Sequence, residues 1–339
     1  MTSPRPTSIT AEPAPRATAG TGFTPAVIVA TVITVLAWAS AFIVIRGTAE
    51  YFNGGALALG RLVVGAALLS LVLIGRKWVK PTGREWLLLV VFGVAWFGAY
   101  NVALNIAEQT LDAGTTAMIV NIGPILIAVG AGIFLGEGIP RWLAIGATVA
   151  FGGVILIGLG TSVGNGLGVD NKLGADNKLG DGSGILWCLL AAVTYATGVL
   201  FQKPVLKRLP AAQVTWLGCV IGMVACLPFA GVLVRDVQTA PLSAVLGVVY
   251  LGAVPTALAF STWAYALSRV PAGQLGVTTY IVPPLATVLG FVFFGEIPVP
   301  LAIVGGAICL VGVALSRRKT RQKAPIPAVV PEKPLNLAE

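Results

Sequence analysis

The sequence predicts an all-α integral membrane protein, ten transmembrane helices arranged as two inverted five-helix repeats. Three observations predict it: composition, the placement of lysine and arginine, and a self-similarity at an offset of 159 residues. Of 339 residues, 56% are hydrophobic and 10% charged, with a mean hydropathy of +0.90. That is far outside globular usage, so most of the chain must lie in lipid.

Apolar runs long enough to cross a hydrocarbon core follow one another with little between them, at 25–45, 54–75, 86–105, 113–135, 141–160, 184–202, 211–234, 242–264, 272–294 and 299–316. They are apolar on every side, which excludes the alternation of a membrane β-barrel. The first run carries Ala37-Trp38-Ala39, a small-residue pattern like a signal-peptide cleavage site, but the run is too long for a signal peptide's apolar core. Cys188, Cys219, Cys226 and Cys309 all fall inside these runs without metal-ligand spacing and read as small membrane-embedded hydrophobes.

The net charge of +9 raises a nucleic-acid reading that the charge distribution rejects. With the N-terminus in the cytoplasm, that side holds Arg5, Arg16, Arg76, Lys77, Lys80, Arg84, Arg141, Lys203, Lys207, Arg208, Arg269 and the basic tail from Arg317 to Lys333. The other side holds only Arg46, Lys172, Lys178 and Arg235. This asymmetry predicts a multi-pass protein with both termini cytoplasmic, and the expected location is the inner (plasma) membrane. The expected partners are a small-molecule substrate and the lipid bilayer, with no nucleic acid and a homodimer left open.

Shifting the chain by 159 residues aligns Ala113-Gly114 with Ala272-Gly273, Ile122-x-Pro124 with Ile281-x-Pro283, Gly136-Glu137 with Gly295-Glu296, and Gly153-Val154 with Gly312-Val313. Near the same offset, Trp38 to Arg46 lies over Tyr195 to Lys203. The repeats are therefore 25–160 and 184–316, flanked by a cytoplasmic tail at 1–24 and a basic one at 317–339, both Pro-rich and expected to be disordered. An external Gly/Asn/Asp-rich linker at 161–183 joins them. Its Asp170, Asp176 and Asp181 do not fit a calcium-loop spacing. Five helices per copy is odd, so the copies must be inverted, an architecture of secondary transporters that bind solute between halves.

The chain resembles the EamA family of the drug/metabolite transporter superfamily. The resemblance rests on Trp38-x-Ser40-x-Phe42 in the first helix, Arg61 early in the second, Pro124 and Pro283 in the fourth and ninth, and Gly-Glu closing both of those. It covers roughly residues 25–316. It implies a ten-helix transporter, usually an exporter of amino acids or other small metabolites, but not which substrate.

Polar side chains within the runs are few, and each must find a partner or line water. The cavity candidates are Trp38, Ser40, Arg61, Trp96, Tyr100, Asn101, Asn105, Asn121, Tyr195, Thr197, Trp263 and Tyr280, on a cavity expected between helices 1, 3, 4, 6, 8 and 9. Arg61 can hold a substrate carboxylate or bond helix-end carbonyls. Pro124, Pro283 and Pro284 break the helix ladder and free carbonyls there. Glu137 and Glu296 follow helix-ending glycines on opposite faces and read as caps or gate-edge partners rather than as a binding site.

Histidine is absent and no acid lies at mid-depth, so no proton relay is evident, and facilitated or exchange transport is expected as readily as proton antiport. No P-loop, histidine-based triad or metal motif occurs, so neither enzymatic activity nor a cofactor is expected. Alternatives are an exchanger of phosphorylated or nucleotide-linked sugars, for which one buried arginine offers too few donors, and a non-transporting protein such as a channel or lipid-handling enzyme.

Overall fold

A computed structural model describes residues 24–134, 141–166, 182–270, 272–296 and 298–316. Glu137, both tails and the middle of the 161–183 linker lie outside them; the linker's described ends are helical, since the flanking helices run to Gly166 and from Gly182.

The described residues are helical, with no strand among them. The first half comprises α1 (Pro25–Thr48), α2 (Gly54–Leu73), α3 (Gly83–Phe92), a π-helical segment (Gly93–Ala99), α4 (Tyr100–Ala107), α5 (Ala113–Val120), α6 (Gly123–Phe134) and α7 (Arg141–Gly166). The second comprises α8 (Gly182–Val205), α9 (Ala211–Ala225), a 3₁₀ turn (Leu227–Phe229), α10 (Ala230–Thr239), α11 (Leu242–Leu251) and a second π segment (Gly252–Leu258). It continues through α12 (Ala259–Leu267), α13 (Ala272–Gly276), a 3₁₀ segment (Val277–Ile281), α14 (Val282–Phe294) and α15 (Pro300–Ser316).

Among the described residues five helices are long and apolar enough to cross a membrane: Pro25–Thr48, Gly54–Leu73, Gly83–Ala107, Ser183–Val205 and Leu242–Leu267. A sixth arises if Ala211–Ala225 and Leu227–Thr239, bent by 53° at the Leu227-Pro228 turn, form one span. The remaining positions of the expected ten hold shorter apolar helices, Ala113–Ile127, Thr148–Ile157, Thr278–Phe294 and Ile303–Gly312. Within two of these stretches the α-helical ladder is interrupted, at Asn121 ahead of Pro124 and at Val277–Ile281 ahead of Pro283 and Pro284, where proline lacks an N–H and crowds the preceding turn.

The repeat is visible in the irregularities as well as in the helices. The two π segments start at Gly93 and Gly252, positions that the sequence offset pairs. Each packs on a helix of the opposite half. A methyl at Gly93 would lie 2.7 Å from Ile221 of α9, and one at Gly252 would lie 2.5 Å from Val64 of α2. A π turn leaves carbonyls without their usual donors. Asn101 Nδ2 donates to Trp96 O (3.2 Å) and Phe97 O (2.8 Å), and Thr256 Oγ1 donates to Leu251 O (2.7 Å). Asn101→Leu is therefore expected to cost about 1–3 kcal/mol, read as a lower midpoint of thermal unfolding in detergent.

The two copies run in opposite senses. Arg46 in the last turn of α1 reaches the carbonyl of Glu108, while Gly184, near the start of α8, abuts Thr110 and Leu111 a turn beyond it. So α8 begins at the end of the molecule where α1 finishes. That end is tied by Asn53 N to Asp236 (2.9 Å) and Gln109 to Phe52 O (3.2 Å). The opposite end is tied by Gln213, which exchanges two hydrogen bonds with the Val79 backbone, and by an Arg208–Glu85 ion pair. Glu85 also closes the capping box with Thr82 that starts α3. The Arg208–Glu85 pair raises the arginine above its ordinary range through the hydrogen bond to the carboxylate.

Helices α7 and α15 cross at their glycines. A methyl at Gly153 would meet Gly305 O at 2.5 Å, and one at Gly312 would meet Ala150 N at 2.5 Å and Gly146 O at 2.6 Å. Without a hydrophobic drive between helices in lipid, such backbone contact is what packs them. The outer faces carry exposed Leu71, Leu87, Leu246, Phe291 and Phe293, the side chains a bilayer would solvate.

Candidate functional site

Both halves converge on a central cavity of about 50 Å³. Its wall contains Trp38, Ala41 and Phe42 of α1, Arg61 of α2, Trp96 of the first π segment, Tyr100 and Leu104 of α4, and Ala117, Val120 and Asn121 at the end of α5. The second half adds Tyr195 of α8, Phe260 of α12, Thr279 of the 3₁₀ segment and Val282 of α14. The wall thus involves the expected six helices and, through Arg61, helix 2 as well. The volume holds a few waters, against roughly 300–1,000 Å³ for ordinary ligand pockets. The cavity must widen to take an organic solute.

A larger crevice of about 290 Å³ between α1 and the 277–281 break is lined by Ile28, Thr31, Val32, Val35, Leu36, Thr278, Ile281 and Leu285. Its two threonines spend their hydroxyls on the Val27 and Leu275 carbonyls, leaving nothing polar for a solute.

Arg61 is the cavity's one charged wall residue, 3% exposed. Its Nε donates to Thr256 Oγ1 (3.0 Å), so the second half's π segment fixes the guanidinium by one edge. Asn121 donates from Nδ2 to Thr279 O (3.0 Å), joining the two broken helices, and its buried Oδ1 has no donor. Aromatic rings line much of the remaining wall, Trp96 lying 6.1 Å from Trp38, 5.0 Å from Phe260 and 5.1 Å from Tyr195, with aliphatic side chains between them. The wall therefore offers one cation, one amide and an aromatic box, a set that suits a small solute with a carboxylate at one end and apolar bulk at the other.

Several sequence candidates sit elsewhere, and their partners explain why. Ser40 faces Tyr250 (2.8 Å between hydroxyls), on the side of α1 packed against α11. Asn101 supports the π turn, and Asn105 donates to Gly54 O (2.9 Å), both buried between helices. Thr197 bonds back to Val193 O within α8. Trp263 stands behind Trp38 rather than on the wall, and Tyr280 packs against the core beside it. Pro124 and Pro283 are buried at the two helix breaks and Pro284 is exposed. Glu296 follows Gly295, whose φ of 67° ends α14, and accepts from Arg46 Nε (2.8 Å).

Reasoning from sequence passes over Leu104, Val120, Phe260, Thr279 and Val282, apolar or common residues that only the cavity singles out, takes Phe42 as a motif residue but not as a cavity candidate, and passes over Thr256 and Glu108.

Two repeated bundles enclosing one cavity with a buried cation define a helical membrane protein of transporter class. Residues 25–159 and 182–318 each match the EamA-like transporter family, and the chain belongs to it. Among its relatives is the "Probable terminal-alkyne amino-acid exporter" of Streptantibioticus cattleyicolor, 32% identical, covering 86% of this chain and 93% of that protein. Another is the "Uncharacterized transporter YdfC" of Bacillus subtilis, 30% identical over 84% of this chain and 89% of its own. A crystal structure 19% identical superposes with a TM-score of 0.57 over 86% of this chain and 96% of its own, which speaks to the fold alone. The protein is a multi-pass membrane transporter and not an enzyme.

Proposed function

We propose that this chain is a secondary exporter of small organic metabolites, amino acids foremost, working by alternating access around the central cavity. The observation that carries this is Arg61, buried in a wall built by both halves and held by one edge on Thr256. A guanidinium so placed can bind a solute carboxylate in the bidentate manner while the aromatic box takes its side chain. The exporter named for an amino acid among the relatives supports the same class. In this reading the helices make ten spans in two inverted repeats, both termini are cytoplasmic, and the Arg46–Glu296 end is external, as the lysine and arginine distribution favours.

The test is counterflow: liposomes carrying the purified full chain, loaded with unlabelled amino acids, and given labelled ones outside. Exchange several-fold above empty vesicles for at least one amino acid is expected. No exchange of any amino acid or other small metabolite would reject the reading.

A further inference from the structure

At the end of the molecule that holds the last turn of α1, one cation faces two carboxylates. Arg46 donates from Nε to Glu296 Oε1 (2.8 Å) and from a terminal nitrogen to the backbone carbonyl of Glu108 (2.8 Å). It thereby ties α1, the end of α4 and the end of α14 into one latch. The side chain of Glu108 takes no part. It is 0% exposed, and among the described residues neither of its carboxylate oxygens has a donor. Glu296 Oε2 is likewise buried without a donor.

An ionised carboxylate buried with no donor is costly by several kcal/mol, so the group holds a proton instead. Burial pushes Glu108 well above the usual carboxylate range, opposed by Arg46 and reinforced by Glu296. The other charged or titratable groups about it are Arg61 of α2, Tyr100 of α4, Asp112 and Cys188 of α8. Asp112 is engaged as the cap of α5, accepting from Thr115 N (2.8 Å), and Arg61 is held by Thr256. Among the described residues the two cations near Glu108, Arg46 and Arg61, already hold other partners, Glu296 and Thr256.

The second half shows that the latch needs no acid at this place. Lys203 of α8, the repeat counterpart of Arg46, donates to the carbonyls of Leu267 and Val270 at the opposite end of the molecule. Leu267 stands 159 residues after Glu108. The same backbone contact is made there beside an alkyl side chain. The carboxyl of Glu108 is therefore surplus to the architecture, and both the latch group Arg46 and the cavity group Arg61 act on it electrostatically.

We propose that Glu108 is a proton-binding site that couples the latch, and through it solute export, to the proton gradient. This rests on the transport reading above. With the proton on Glu108, Arg46 has one anionic partner, Glu296, and the latch is shut. When the proton leaves for cavity water, Glu108 becomes a second anion competing for Arg46 and the latch loosens. The exposed carboxylate then takes a proton from external water, an O–H bond forms, and closure is restored. One proton moves inward per solute moved out. The sign follows from linkage: the closed state binds the proton more tightly than the open one, so raising external pH favours opening.

The experiment uses the full chain in liposomes, wild type against Glu108→Gln and Glu108→Asp, with two independent readouts. Infrared difference spectra across a pH titration, with no solute present, report the protonated carboxyl directly. A wild-type C=O band that vanishes as pH rises, is missing in Glu108→Gln and shifts in Glu108→Asp supports the site; a band unchanged in Glu108→Gln overturns it. In the second readout, a labelled mixture of the standard amino acids is followed with and without a pH gradient. A one-unit gradient is expected to sustain about a tenfold imbalance in wild type and none in Glu108→Gln, whose side chain stays neutral, keeps the latch shut and slows gradient-free counterflow several-fold. Equal response of both proteins overturns coupling through Glu108. Should wild type show no counterflow at all, the transport reading fails while the infrared arm still decides the protonation of Glu108. If Glu108→Gln does not insert, the shifted band and shifted pH response of Glu108→Asp decide in its place, and an unshifted pair overturns the proposal.

Discussion

Arg61→Gln is expected to raise the concentration of amino acid needed for half-maximal counterflow by roughly ten- to a hundredfold, the loss of about 1.5–3 kcal/mol of charged hydrogen bonding. Glutamine can still reach Thr256, so the contact between α2 and the second π segment survives and the protein inserts normally. What disappears is the cation on the wall. Arg61→Lys should fall between, because a lysine keeps the charge but not the planar fork that holds Thr256 with one edge and a carboxylate with the other. The ratio of the two variants separates charge from geometry. An Arg61→Gln protein with wild-type concentration dependence for every carboxylate solute would show that the guanidinium serves packing alone. A solute whose carboxylate is esterified should be affected little by the substitution, which gives the same test from the ligand's side.

The second large effect is expected at the crossing of α7 and α15. Gly153→Leu drives a side chain into the backbone of the partner helix, where even a methyl would lie 2.5 Å from Gly305 O and 2.7 Å from Cys309 N. These neighbours are main chain and cannot turn aside, so the helices must part. The cost is expected to be about 1–3 kcal/mol or more, read as a fall in the midpoint of tryptophan-monitored thermal unfolding in detergent. Gly152→Leu, one residue earlier, is the control, because a side chain there meets nothing within 4 Å. Equal midpoints for the two variants would contradict the close contact. Because this crossing lies away from the cavity wall, the surviving fraction of Gly153→Leu should keep its solute preference.

Much of the fold can be read from residues alone, because it is written in periodic and repeated features. Apolar length gives the helices, Ala113-Gly114 against Ala272-Gly273 gives the duplication, and Pro124 and Pro283 give the two breaks. The π segment at Gly93 leaves no such mark. It contains no proline, and its widened turn depends on α9 lying against it. The site is less legible, because a helix shows its residue types but not which face meets the cavity. Ser40 and Trp38 are two residues apart on α1, and only Trp38 is on the wall. Asn101 and Tyr100 are adjacent, and only Tyr100 is. Glu108 is the sharpest case. Beyond the end of an apolar run, a glutamate reads as a solvated loop residue, yet Glu108 is fully buried, and the start of α8, from 70 or more residues away along the chain, packs against Thr110 and Leu111 beside it.

The paired π segments also record a history. An irregularity shared by both halves at matching positions was present in the single ancestral unit before it was copied, since the same extra residue arising twice by chance in the same place is improbable. The charges follow another order. α9, which answers to α2, has no lysine or arginine, and Leu267 and Tyr280 stand where the first half has Glu108 and Asn121. The two halves therefore share one frame but not one chemistry, since Arg61, Glu108 and Asn121 all lie in the first half.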